Sequence, residues 1–412
     1  MELAPLFKKA YWSLAFAGLV YVLAIFSLTY PAVQRGALYS NAINPSPWQD
    51  VNDAEYFGFQ KSQVQPFNIV TPDNETLYAW HIIPPYLCKE FEEDLLANPP
   101  SGPAEDITKT LAYKLLAENP NARVVVNLHG NAAHIGSGYR PNTYRSHLAA
   151  STPTHPVHVI AFDYRGFGKS TGTPTEEGLI TDAEAVITYL TSAPLSISPS
   201  RIAIAGQSLG TAVAAGLAER LTFTKALSEP FATILLFAPF SNVPTLLESY
   251  QFFGLLPPIF SPIVGYPRAK KYILNHVVDT WDTASRLARL TGVKPHSEDD
   301  HAVHGDQAFD VKIIHAANDF EIPWREGRRA WAAAVGGEDN AAKLGTFVKD
   351  HASEDGVTQL EVWEKEIGAD PRTGEKRVKR VTWERVRYGG HNRVAATSAA
   401  TLAIMRAFEN NK

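Results

Sequence analysis

Ser208 stands between two glycines in Gly206-Gln207-Ser208-Leu209-Gly210, a G-x-S-x-G pentapeptide. An apolar run, Ile202-Ala203-Ile204-Ala205, leads into it, and a small-residue stretch from Ala212 to Glu219 leads out. Strand, sharp turn and helix form the setting in which such a serine is presented as a nucleophile. The glycines permit a turn too tight for Cβ atoms, so strand and helix backbones can approach closely. A serine hydroxyl is a poor nucleophile at neutral pH. It needs a base to take its proton, a group to hold that base, and donors for the oxyanion.

Asp319 and His391 follow Ser208 in the order serine, acid, histidine that this kind of elbow requires. Asp319 comes directly after an apolar run, Val311–Ala316, at the sheet edge where parallel sheets place their sites. A turn or helix-capping role is its alternative, since Glu321-Ile322-Pro323 follows. His391 follows Gly389-Gly390 at the end of a strand-like segment, and His351 is its one rival beyond Asp319. Backbone N–H groups are the expected oxyanion donors. Leu209, next to the serine, is one, and Asn131, in His129-Gly130-Asn131 after the run Arg123–Leu128, is assigned as the other. His129 and Ala132 are the neighbours that could replace Asn131 in this role. Asp163 precedes the serine and reads as a packing residue, as does His129. His296, His301 and His304 lie among acidic residues and read as a polar loop in preference to a metal site. The chemistry calls for no metal and no cofactor.

These residues need a scaffold. Arg123–Leu128, Val157–Phe162, Ile202–Ala205, Thr233–Phe237 and Val311–Ala316 are continuous apolar runs. Helix-like segments at Tyr139–Ala150 and Glu176–Thr191 alternate with them, the second carrying Leu179, Ile180, Ala183, Val186, Ile187 and Leu190 at helical spacing. That alternation predicts an α/β fold with a mostly parallel central sheet and helices on both faces. Two further strands, Phe67–Val70 and Leu77–Ile83, flank the turn Pro72-Asp73-Asn74. Residues 241–308 are too long for a simple connection and hold the apolar run Phe252–Val264, so they are read as a lid-type insertion. A second insertion, 336–387, holds strand-like Gln359–Glu366 and Lys376–Tyr388 around the turn Asp370–Gly374. A final helix is expected from Arg393 to about Phe408.

Ala10 to Tyr30 is an uninterrupted run of uncharged residues, with Tyr11, Trp12 and Tyr30 at its ends. At about 1.5 Å per residue it is long enough to cross a bilayer core of about 30 Å. It exceeds the apolar core of a signal peptide, and no small-x-small cleavage site follows. Residues 1–35 are therefore expected to be a short tip and a transmembrane anchor. Residues 36–66 would be a tether, and 67–412 the catalytic domain. Lys8 and Lys9 before the span against Arg35 after it favour a cytoplasmic N-terminus. The sequon Asn74-Glu75-Thr76 fits a domain on the other side. A net charge of −5 gives no electrostatic case for nucleic acid, and the single cysteine, Cys88, excludes an intrachain disulfide. The oligomeric state is not legible.

Four motifs together carry a family resemblance: HGN at 129–131, DYRGFGKSTGTPTEEG at 163–178, GQSLGT at 206–211, and HAAND with IP at 315–323. From about Phe67 to the C-terminus, and in its anchor, the chain resembles the membrane-anchored α/β-hydrolase-domain serine hydrolases. This group includes monoacylglycerol and lysophosphatidylserine lipases. The resemblance implies an α/β-hydrolase fold and hydrolysis of carboxyl esters of single-chain lipids. It also implies a location in the endoplasmic reticulum with the catalytic domain in the lumen. Ser208, Asp319 and His391 match the triad positions. Thioester hydrolysis or acyl transfer through the same acyl-enzyme stays open, as does a non-catalytic membrane scaffold on this fold.

Overall fold

The computed structural model describes residues 5–44, 48–227, 229–250, 260–293, 307–369 and 374–409. Among these, ten strands form one sheet in the order β1-β2-β4-β3-β5-β6-β7-β10-β9-β8. They are β1 (Val64–Val70), β2 (Thr76–Ile82), β3 (Arg123–Leu128), β4 (Val157–Phe162), β5 (Ile202–Gln207), β6 (Thr233–Phe237), β7 (Phe309–Ala316), β8 (Thr346–Ala352), β9 (Gln359–Ala369) and β10 (Lys376–Val386). The centre, β4-β3-β5-β6-β7-β10, is parallel throughout, and antiparallel pairs close both ends. This is the mostly parallel sheet that the apolar runs predict, and it is the α/β-hydrolase fold that the family resemblance implies.

The runs are continuous because both faces are covered. Along β5, Ile202 and Ile204 enter one hydrophobic cluster while Ala203 and Ala205 enter the other. Along β3, Val124, Val126 and Leu128 take the first face and Val125 the second. This is the two-residue period of a strand read on two buried sides. Helices Glu176–Thr191, Leu209–Phe223, Thr283–Thr291 and Trp324–Val335 cover the first face. Helices Arg140–Leu148 and Ser398–Glu409 cover the second.

Between β5 and helix Leu209–Phe223 only Ser208 intervenes, at φ 54° and ψ −118°. A non-glycine residue rarely adopts such a backbone, and its cost, of order 1–3 kcal/mol, is tolerated only where surrounding structure dictates it. Here the glycines dictate it. A Cβ on Gly206 would overlap the Gly210 carbonyl oxygen, and one on Gly210 would overlap the Leu128 carbonyl oxygen. Strand β3, strand β5 and the elbow helix thus meet backbone to backbone.

Elsewhere the structure departs from the sequence reading. The anchor helix runs Pro5–Ser27 and stops three residues short of Tyr30. Tyr30 precedes Pro31 and takes an extended backbone (φ −91°, ψ 125°), because the proline ring disfavours helical geometry in the residue before it. A second helix, Pro31–Tyr39, follows and drives Tyr39 into the core. The final helix starts at Ser398, since Thr397 is extended and two short turns precede it. The strand read at Lys376–Tyr388 is β10, paired in parallel with β7, so it belongs to the sheet itself. Strand β8 and helix Trp324–Val335 escaped the reading. Within 241–308, the described residues include helices Val243–Ser249, Pro267–Leu274 and Thr283–Thr291 and the short turn Ser261–Ile263. Most of the apolar run Phe252–Val264 lies outside the described residues, as do His296, His301, His304 and the turn residues 370–373.

The elbow's backbone contact sets a measurable expectation. Gly210→Ala places a methyl against a carbonyl that no rotamer change can relieve, and should lower unfolding free energy by about 3 kcal/mol, the upper range for overpacking. Gly36→Ala, with nothing within 4 Å of the added carbon, should leave stability equal or slightly raised. Guanidinium unfolding of both variants in detergent checks the contrast.

Candidate active site

Three loops at the C-terminal ends of β5, β7 and β10 bring Ser208, Asp319 and His391 together. Ser208 Oγ lies 3.0 Å from His391 Nε2, and His391 Nδ1 lies 2.9 Å from Asp319 Oδ2. The network assigns the proton positions: Ser208 donates to Nε2, and Nδ1–H donates to the carboxylate. All three residues are buried. Each is held by its own loop. Ser208 N–H donates to the Phe237 carbonyl at 3.0 Å. Asp319 Oδ1 accepts from Glu321 N–H at 3.0 Å and Ile322 N–H at 2.9 Å. The His391 carbonyl accepts from Gln207 Nε2 at 3.0 Å, tying the histidine loop to the residue before the serine. Gly389 and Gly390, at φ 144° and 55°, make the turn that aims His391, and Asn318 Oδ1 accepts from Gly390 N–H at 2.9 Å. The 72-residue separation of Asp319 from His391 is filled by helix Trp324–Val335 and strands β8 to β10, which return the chain to the same sheet edge.

Sequence reasoning missed His315. It sits in the apolar end of β7, where nothing marks it as polar machinery. Its Nε2 lies 3.2 Å from Asp319 Oδ2 and 3.0 Å from the Ile322 carbonyl. Burial alone would raise the Asp319 carboxyl, but the neighbouring His391 and the hydrogen bonds from His315 and His391 outweigh it and hold Asp319 well below the usual carboxylate range. For His391, burial favours the neutral ring, and the Asp319 charge and hydrogen bond prevail, raising it above an ordinary histidine.

The loop after β3 faces the serine. A Cβ on Gly130 would stand 2.9 Å from Gln207 Oε1 and 3.3 Å from Ser208 Cβ, so a glycine is what lets this loop close on the elbow. Ala132 N–H already donates to the Tyr39 carbonyl at 2.9 Å, which removes it as an oxyanion donor. Asn131 and Leu209 both line the cavity beside Ser208. Arg140, also missed, clamps this loop and itself lines the cavity. Its guanidinium donates to the carbonyls of Gly130 (3.0 Å), Asn131 (2.8 Å), Ala132 (2.8 Å) and His134 (2.6 Å).

The remaining sequence candidates serve the scaffold. Asp163 is buried, accepts from Ile135 N–H at 2.8 Å, and is pushed up to about 7 by burial. His129 is buried against Tyr164, ring centroids 4.4 Å apart, and burial holds it well below an ordinary histidine. His351 lies exposed on edge strand β8.

Ser208 and His391 open into a cavity of about 600 Å³. Its apolar wall includes Leu28, Leu38, Leu246, Leu247, Ile273 and Val277. The arrangement can transfer an acyl group to serine with a histidine base, beside an apolar slot.

The electrostatics fix a pH profile. His391 works as a base only when neutral, so kcat/KM should rise with pH as it loses its proton. Because its folded-state value is raised, the midpoint should lie above the ordinary value of about 6.5. Asp319→Asn should move that midpoint down and lower kcat by about 10⁴-fold, as loss of the orienting carboxylate does elsewhere. A pH–rate series on both proteins with a soluble ester measures this.

Comparison with known proteins agrees with the geometry. Residues 124–395 match the model of the alpha/beta hydrolase family. Human protein ABHD12B is 34% identical over 197 residues, covering 46% of this chain and 49% of that protein. The lysophosphatidylserine lipase ABHD12 of Xenopus tropicalis is 26% identical over 306 residues, covering 74% of this chain and 66% of that protein. Among solved structures, an alpha-beta hydrolase from Vibrio vulnificus aligns over 100% of this chain and 95% of its own, at 17% identity and a TM-score of 0.46. The chain thus spans between about half and two thirds of the length of these curated relatives. On the family match over most of its sheet and all three loops, the chain belongs to the alpha/beta hydrolase family.

Proposed function

We propose that the protein is a membrane-anchored serine hydrolase that cleaves carboxyl esters of single-chain lipids, of monoacylglycerol or lysophospholipid type. The observation that carries this reading is the Ser208–His391–Asp319 hydrogen-bonded chain at one end of a cavity whose other reaches include Leu28, just past the anchor helix. The resemblance of the chain to lysophosphatidylserine lipases supports the same substrate class.

Ser208 Oγ attacks the ester carbonyl carbon while its proton passes to His391 Nε2. The carbonyl oxygen gathers the displaced electron pair and accepts hydrogen bonds from the Leu209 and Asn131 N–H groups. Leu209 opens the elbow helix, so the positive end of its dipole faces the same oxygen. Collapse of the intermediate breaks the bond to the leaving alcohol, which takes the proton from His391. Water then attacks the acyl-serine, His391 takes its proton, and the fatty acid departs as Ser208 regains a hydrogen. Asp319 stays ionised and balances the imidazolium.

The apolar helix Phe7–Ser27 is long enough to cross a membrane once and is only 6% buried, which fits a single-pass anchor. We place the N-terminus in the cytoplasm and the catalytic domain in the lumen of the endoplasmic reticulum. The basic residues Lys8 and Lys9 support this orientation, and Asn74 is exposed on the β1–β2 turn, where an oligosaccharyltransferase could reach it.

Two experiments test the reading. Ser208→Ala should abolish both fluorophosphonate labelling and long-chain ester hydrolysis. Retention of either activity rejects the serine. Expressed in eukaryotic cells, the wild-type chain should lose mass on glycosidase treatment and Asn74→Gln should not. Equal mobility of the two chains before treatment would count against a lumenal domain.

A further inference from the structure

The anchor helix does not stand clear of the domain. Tyr21, Ile25 and Leu28 recur at steps of four and three along it, forming one stripe. That stripe packs with Phe260, Ile263, Ile273 and Leu274 of the inserted segment. Ile25 is 3% exposed, and Phe260 and Ile273 are 2% exposed. Phe26 adds a ring contact with Tyr272, centroids 6.3 Å apart. Just beyond the helix, the Gln34 side chain donates to the His276 carbonyl and accepts from Val278 N–H at 2.9 Å. Arg35 pairs with Asp279 at 3.0 Å. One stretch of the insertion is therefore fixed to the anchor at several successive points.

Depth follows from helix geometry. At about 1.5 Å per residue, Tyr21 lies about 9 Å and Ile25 about 3 Å before Ser27 along the axis. If Phe7–Ser27 spans the hydrocarbon core, whatever touches Tyr21 and Ile25 sits at the boundary of headgroups and acyl chains. Segments that lie in that boundary bury an apolar face to about 5–10 Å and carry basic and aromatic residues around it. Residues 260–274, FSPIVGYPRAKKYIL, have this composition and contain no acid. Val264, Tyr266 and Tyr272 are exposed, and Arg268, Lys270 and Lys271 lie among them, Lys270 paired with Glu248 at 3.0 Å. Exposed apolar residues taken singly are ordinary on any surface. These lie on a segment fixed to a membrane-spanning stripe.

We infer that residues 260–274 are a second membrane contact, lying in the interface of the leaflet on the catalytic domain's side, with phospholipid as the partner. The cavity shares this face. Leu28 and Ile273 belong both to its wall and to the anchor–insertion cluster. Its apolar end therefore opens at acyl-chain depth, and a single-chain ester reaches Ser208 without crossing bulk water. This second part rests on the hydrolase reading above; the membrane contact does not.

The test uses the full chain in phosphatidylcholine vesicles, with Cys88→Ser and one new cysteine carrying an environment-sensitive nitrobenzoxadiazole label. Labels at Val264→Cys and Tyr272→Cys should emit to the blue and be quenched by lipids spin-labelled at shallow positions. A label at Val348→Cys, on the exposed edge strand β8, should show neither effect. Emission and quenching at 264 and 272 that match 348 would overturn the membrane contact. Circular dichroism and the thermal unfolding midpoint of each variant verify folding independently of activity. For the second part, Tyr266→Asp should lower the ratio of vesicle-borne long-chain to soluble short-chain ester turnover several-fold. An unchanged ratio overturns the bilayer-facing mouth. A wild-type chain without any esterase activity would reject the hydrolase reading and leave the fluorescence result standing.

Discussion

Backbone contact at the elbow is the constraint on which the rest depends. Gly210 lies against the Leu128 carbonyl and Gly206 against the Gly210 carbonyl, so the ends of β3 and β5 and the start of the elbow helix share one small volume. That crowding holds Ser208 at φ 54° and points its hydroxyl away from the core. It also sets the distance between the elbow and the loop after β3, where Gly130 repeats the device. Side chains at any of these glycines would push the elbow, β3 and the loop after it apart. The surrounding sheet, buried on both faces, supplies the rigidity that keeps so strained a residue in place.

Charge is arranged around this frame in a graded way. Asp319 collects two backbone N–H groups, His315 and His391, and stays ionised despite its burial. Asp163 also accepts from backbone N–H groups and lies near Arg140, but there burial outweighs them and pushes it up to about 7. The two aspartates follow strands of the same sheet and differ in what they meet. The difference suits one to stabilise a positive histidine and the other to stitch loops.

Much of this was legible because chemistry and fold use local signals. The G-x-S-x-G turn, the apolar runs and the glycines before His391 name the elements that carry Ser208, Asp319 and His391, and the structure joins these residues in one hydrogen-bonded chain. What escaped has physical reasons. His315 is hidden in an apolar strand, and its partner is set by the turn that follows. Arg140 acts on four backbone carbonyls, which carry no sequence signature. Strand β8 is exposed at every position, so it shows no alternation to read. Tyr39 sits in a segment read as a tether and Arg35 at the end of the one read as the anchor, and only the tertiary structure shows that Asp279, far along the chain, binds both.

That last cluster changes what the anchor is. A leash of flexible residues would leave the cavity free to face any direction within a radius set by its length. Here Gln34 and Arg35, both half-buried, and the buried Tyr39 form a joint, and the carbonyls of Tyr39 and Ile43 hold the loop after β3 through Ala132 and Ala133. The joint removes rotational freedom as well as distance. On the function proposed above, the cavity would keep one attitude to the membrane plane, and its encounters with lipid would become a search in two dimensions, at the pace of lateral diffusion.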